Sequence, residues 1–147
     1  MKVRDPSRLA REAWLFTLVG AIGFCVDGGL LLVGHEQLGF AWPFARLLSF
    51  TGAVTVTWLL NRSLTFSNQS GPLTLDEWRR YFAVNGVGAA LNLGIFSMLM
   101  EFVPSFSSHP LIALAVAATV ALTFNFFMSR RLVFQSVRAG QTATDHD

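Results

Sequence analysis

The sequence predicts an all-α polytopic membrane protein, with four transmembrane helices built as two parallel two-helix repeats. Three observations carry this. The 147 residues are 52% hydrophobic and 14% charged, whereas a soluble domain carries about a quarter charged residues. Four apolar runs, at about 14–34, 43–60, 81–103 and 110–128, each approach the roughly 20 residues that cross about 30 Å of hydrocarbon as helix. The two halves of the chain also match each other at fixed offsets.

A backbone in lipid must satisfy its own hydrogen bonds, so each run reads as helix. The alternating pattern of barrel strands is missing. The first run follows a basic lead of Lys2, Arg4, Arg8 and Arg11. It is longer than a signal-peptide core and no small-x-small site closes it, so it is expected to be retained as helix 1. Residues 1–12 then form a basic segment ahead of a transmembrane domain at 13–134. Between helices 2 and 3, Asn68, Gly71 and Pro72 break the chain. Thr74 and Glu77 match a capping box that opens helix 3. Trp78 and Tyr81 bracket Arg79 and Arg80 and are expected to anchor that helix in the headgroup layer. The polar tail, 135–147, is expected to be disordered. Cys25 is the lone cysteine, which excludes an intrachain disulfide.

The charges orient the chain. Lys and Arg gather before helix 1, between helices 2 and 3 (Arg62, Arg79, Arg80) and after helix 4 (Arg130, Arg131, Arg138). Of eleven basic residues, only Arg46 lies elsewhere. The positive-inside rule therefore places both termini and the middle loop in the cytoplasm, and the one-sided pattern opposes dual insertion.

The repeats span about 13–66 and 78–134. Helices 2 and 4 align at an offset of 68, with Arg62-Ser63-Leu64-Thr65-Phe66 over Arg130-Arg131-Leu132-Val133-Phe134. Thr51 and Thr55 fall on Thr119 and Thr123, and Ala45, Ser49 and Ala53 on Ala113, Ala117 and Ala121. Helices 1 and 3 align at 65. Ala21, Cys25 and Gly29 fall on Gly86, Ala90 and Gly94, Gly23 on Gly88, and Asp27 on Asn92. Each half holds two helices, so both share one orientation, as in repeats related by an axis along the membrane normal. The small residues spaced by four are expected to be helix contact faces.

Several polar side chains fall inside the spans. Asp27 lies about 13 residues past Trp14, roughly 20 Å into helix 1. A carboxylate at that depth is costly and points to function. Arg46, about a turn into helix 2, can reach the same depth. A functional pair, a structural ion pair and an Arg46 that snorkels outward alone remain open alternatives. The second half carries Asn92 and Leu114 at the matching positions, so the charges belong to one half only. Thr57, Asn85, Asn92 and Asn125 read first as interhelical hydrogen bonders and second as a polar path. Arg62, Arg79, Arg80, Arg130 and Arg131 suit topology anchors, but guanidinium groups near one interface also suit a lipid phosphate. Phosphate loops, dinucleotide turns and His or Cys ligand pairs are missing. No catalytic residue, cofactor, metal site or nucleic-acid partner is expected.

The run Phe16-Thr17-Leu18-Val19-Gly20, then Asp27, then Asn61-Arg62-Ser63-Leu64-Thr65-Phe66 closing helix 2, resembles the GtrA-like family. Its members are four-helix membrane proteins with a repeated Asn-Arg-x-x-x-Phe ending. The second ending, Ser129-Arg130-Arg131-Leu132-Val133-Phe134, is similar but has Ser where Asn is often found. The resemblance covers about residues 11–135. It implies a role in cell-surface polysaccharide modification at the bacterial cytoplasmic membrane. Such a protein would flip a sugar linked to polyprenyl phosphate, such as undecaprenyl phosphate, to the outer leaflet, where a glycosyltransferase uses it. The alternative is a non-transporting scaffold or accessory subunit that recruits the glycosyltransferase, and a homo-oligomer stays open under either reading. A third reading, a small-molecule exporter with Asp27 as proton site, is opposed by the one-sided charge. In the flipping reading, Arg62 and Arg130 above all, with Arg79, Arg80 and Arg131, would capture the phosphate. The sugar would pass Thr57, Asn85, Asn92, Asn125 and the Asp27/Arg46 pair.

Overall fold

The computed structural model describes residues 6–67, 72–107 and 109–134. The expected breaks at Asn68 and Gly71 and the tail from Gln135 lie outside the described residues. Four helices are long and apolar enough to cross a membrane: Pro6–Gln37, Trp42–Thr65, Leu75–Phe102 and Pro110–Phe134. No strand occurs among the described residues. The chain is a multi-pass, all-helical membrane protein.

Helix α1 (Pro6–Leu32) runs into a π-helical turn, Val33–Gln37. A short connection with Gly39 at φ 70°, a backbone conformation that only glycine adopts freely, leads to α2 (Trp42–Leu60). Helix α3 (Leu75–Phe102) is joined by the short α4 (Pro104–Ser107) to α5 (Pro110–Met128). Helices α2 and α5 each carry a proline in the first turn, where its missing N–H is not needed. Each also ends in a π-helical turn, Asn61–Thr65 and Ser129–Phe134. Threonine hydroxyls within the spans satisfy themselves: Thr17, Thr51, Thr55, Thr119 and Thr123 donate to the carbonyl four residues earlier at 2.7–2.9 Å.

Helices α1 and α3 start at Pro6 and Leu75, ahead of the apolar runs. Their first two turns are amphipathic, and each buries one carboxylate, Glu12 and Glu77. Thr74 caps α3, its hydroxyl accepting from the Glu77 N–H at 3.2 Å. The other half of the box does not form. The Glu77 side chain turns into the bundle instead, to Trp58 and Arg62.

Helix α1 packs chiefly on α2, and α3 on α5, which makes two helical hairpins. Helix α1 buries Glu12, Phe16, Val19 and Gly23; α3 buries Glu77, Tyr81, Val84 and Gly88, the same set 65 residues on. Helix α2 buries Ala45, Ser49, Ala53 and Trp58, and α5 buries Ala113, Ala117, Ala121 and Phe126, 68 residues on. The small-residue stripes of α2 and α5 are thus contact faces. Those of α1 and α3 are not: Ala21, Cys25 and Gly29 are exposed, as are Ala90 and Gly94. Glu12 lies about half a turn round the helix from Ala21, and a carboxylate turned to lipid is too costly. The polar register therefore decides which face turns inward.

Tyr81 is also not the expected headgroup anchor. It is 1% exposed, and its hydroxyl accepts from Asn61 Nδ2 at 2.8 Å. Trp78 is half-buried and donates from Nε1 to Thr55 Oγ1 at 3.1 Å. Both polar tips find partners on the second span, so both side chains fasten α3 to it. Below them an aromatic cluster fills the basic end of the bundle. Phe66 and Phe134, the final residues of the two matching motifs, stack with centroids 4.7 Å apart, and Phe126 packs edge-on to Phe16 at 5.5 Å.

Candidate functional site

At the basic end, two buried carboxylates tie the hairpins together. Glu12 on α1 accepts from Arg130 Nε at 2.7 Å and from Arg8 Nε at 3.0 Å. Glu77 on α3 accepts from Arg62 and, at 2.9 Å, from Trp58 Nε1. The Glu77 side chain is fully buried, and the arginine side chains are only 14% and 12% exposed. An unpaired carboxylate there would carry a desolvation cost of several kcal/mol, which sets this geometry. Arg62 and Arg130, the leading phosphate candidates of the sequence, are therefore engaged by carboxylates of the other hairpin. Arg79, Arg80 and Arg131 are exposed, with Arg79 3.5 Å from Asp76. Sequence reasoning missed Glu12 and read Glu77 only as part of a helix cap. The signal was present: both are acidic, both sit just ahead of an apolar run, and they lie 65 residues apart.

Above the aromatic cluster lies a polar cavity of about 340 Å³. Helix α1 contributes Asp27, the second span Thr57 and Asn61, α3 Tyr81, Asn85 and Asn92, and α5 Asn125. An adjoining space of about 280 Å³ shares Asn85, Asn92 and Asn125. The structure thus gathers Asp27, Thr57, Asn85, Asn92 and Asn125 round one chamber. Arg46 does not line it but donates from its guanidinium to Asp27 Oδ2 at 2.5 Å, so the ion pair forms. Asn61 and Tyr81 were not foreseen in this role. Two glycines admit the polar groups of the facing helices. A Cβ on Gly23 would lie 2.3 Å from Thr57 Cγ2, and one on Gly88 2.0 Å from Asn125 Oδ1.

Three buried oxygens at this chamber have no hydrogen-bond partner: Asp27 Oδ1, Asn92 Oδ1 and Asn125 Oδ1. Each such group costs about 1–3 kcal/mol in an apolar interior. The chamber is therefore a place where a hydrogen-bond donor gains partners that are already in position.

The family described as GtrA/DPMS, transmembrane domain, matches residues 15–108. The chain belongs to this family. Membership links this GtrA/DPMS protein to polyprenyl-phosphate sugar processes at a membrane. The matched span holds Asp27, Arg46, Thr57, the Asn61 to Phe66 motif, Tyr81, Asn85 and Asn92. It stops short of α5, which brings Asn125, and of Arg130. No curated protein matches the chain.

The two seams between the hairpins of this GtrA/DPMS protein differ. Helices α2 and α3 are closely joined, whereas α1 and α5 touch lightly. An apolar groove of about 390 Å³ runs along the α1/α5 seam, lined by residues such as Leu9, Ala13, Thr123 and Phe127. It shares Phe16 and Leu122 with the polar chamber. A polar compartment and an apolar slot thus meet side by side.

Proposed function

We propose that this protein moves a polyprenyl-phosphate-linked sugar between the leaflets of the bacterial cytoplasmic membrane, for the modification of cell-surface polysaccharide. The sugar crosses through the polar chamber while the polyprenyl chain stays in the apolar seam between α1 and α5. The observation that carries this reading is the chamber itself: a polar, partly unsatisfied space within the spans that adjoins an apolar groove. Sugar hydroxyls supply the donors that its buried oxygens lack.

The basic end faces the cytoplasm, as the positive-inside rule requires. There the exposed Arg79, Arg80 and Arg131 receive the lipid phosphate. Arg62 and Arg130 hold Glu77 and Glu12 and keep the two hairpins closed at that end; phosphate reaches them only when those pairs part. The two hairpins are repeats of one unit, a reading supported by the buried positions that recur at offsets of 65 and 68. Net movement follows consumption of the lipid by a glycosyltransferase on the outer side.

Reconstitution tests this. Purified protein in liposomes is expected to accelerate the exchange of a polyprenyl-phosphate hexose between leaflets with no partner and no nucleotide. Folded protein that gives no acceleration over protein-free vesicles would overturn transport and favour a scaffold for the glycosyltransferase.

A further inference from the structure

We infer that the chamber selects its passenger by charge: it takes a neutral or amino sugar and rejects a sugar that carries its own carboxylate or phosphate. This deepens the proposed transport of a lipid-linked sugar and rests on that reading for the identity of the ligand.

Among the described residues, Asp27 is the sole Asp, Glu, Lys, Arg or His that lines the chamber. Its partner cation lies on the far side. The Arg46 side chain is 56% exposed and the Asp27 side chain 19%. Arg46 holds Oδ2, while Oδ1 is buried at the chamber with no partner. The chamber therefore meets the negative end of the ion pair. The remaining unpartnered oxygens, on Asn92 and Asn125, are neutral. Reversing either amide would exchange its acceptor for a donor but would leave Asp27, which has acceptors only.

The walls raise the discrimination. Phe16, Phe24 and Phe50 line the same space, and low-dielectric surroundings strengthen repulsion between like charges. A hydroxyl or an ammonium on the sugar donates to Asp27 Oδ1; the ammonium does so as a charge-assisted bond. A carboxylate on the sugar brings a second anion and no donor. The phosphate is common to every passenger, so its own repulsion from Asp27 cancels when one sugar is compared with another.

The experiment compares short-chain polyprenyl-phosphate lipids that carry glucose, glucosamine or glucuronate. Equilibrium binding to detergent-solubilised protein and leaflet exchange in liposomes are measured on the same three lipids. Glucose and glucosamine are expected to bind at least about tenfold more tightly than glucuronate. Asp27→Asn, which leaves Arg46 without its counter-charge, is expected to shrink that ratio to below about threefold. Arg46→Gln keeps the carboxylate and is expected to enlarge it, so the idea stays testable if one variant fails to fold. Equal binding of glucose and glucuronate to the unaltered protein overturns the inference. So does an unchanged ratio in a folded Asp27→Asn protein. Selective binding without exchange upholds charge selection and removes transport. Exchange that ignores sugar charge does the reverse. Binding of none of the three lipids overturns both.

Discussion

Glu77 and Asp27 are both carboxylates inside the spans, yet they hold very different shares of the stability. The Glu77 side chain is fully buried and its Arg62 partner is 14% exposed. Glu77→Gln leaves a cation beside an amide with no water to take over, a loss of about 3–5 kcal/mol for a broken buried pair. Arg46 is 56% exposed and can turn toward solvent or headgroups when its partner is lost, so Asp27→Asn costs much less. Thermal unfolding in detergent is expected to show a large drop in midpoint for Glu77→Gln and a small one for Asp27→Asn. The double change Asp27→Asn with Arg46→Leu copies Asn92 and Leu114 and is expected to fold well but to move lipid poorly. A double variant with full transport would remove the pair from the mechanism.

The buried positions recur between the two hairpins, but the side chains differ where the seams form. At the α2/α3 seam Trp78 bonds Thr55, and Phe82 packs on Phe50 with centroids 5.4 Å apart. Offsets of 65 and 68 replace Trp78 with Ala13, Phe82 with Thr17 and Phe50 with Ala118. The hydroxyl of Tyr81 becomes a hydrogen in Phe16, and Asn61 becomes Ser129, whose Oγ is buried and unpartnered. Large, mutually bonded side chains close one seam, and small or unbonded ones leave the other as a groove. Refilling the open seam with Ala13→Trp and Thr17→Phe, both of which line the groove, is therefore expected to slow leaflet exchange at least about tenfold. The melting temperature should change little, because the groove has room. Exchange at the original rate would show that the passenger does not use this seam.

For the molecule as a whole, the decisive quantity is the distribution of cations. Exposed arginines collect at the end where both hairpins begin and finish, and the ion pairs of Glu12 and Glu77 lie at the same end. In the proposed orientation, which follows the positive-inside rule, that end faces the cytoplasm. Reporter fusions at Asn68 and at the C-terminus are expected to read cytoplasmic, and fusions at Gln37 and Ser107 external. A cytoplasmic signal at Ser107 is incompatible with the four-span arrangement.

The number of helices and their approximate spans were legible in the sequence, because apolar length and backbone satisfaction are local properties that each run carries alone. The membership of the chamber was half legible. Asp27 and the asparagines stand out because any polar group in an apolar run is conspicuous. Asn61 and Tyr81 sit at span ends, where polarity is ordinary, and so read as a helix ending and a headgroup anchor instead of chamber residues. What each arginine does was hidden. Arg62 and Arg79 look alike in the sequence, and only the fold brings Glu77 to one and leaves the other exposed at the surface. The inward face of α1 was hidden for the same reason: the small-residue stripe pointed to the opposite face, and the burial of Glu12 could be read only once Arg130, 118 residues away, was in reach. Local hydrophobicity determined the spans, whereas pairing across the bundle decided which polar groups lock it and which stay unpartnered at the chamber.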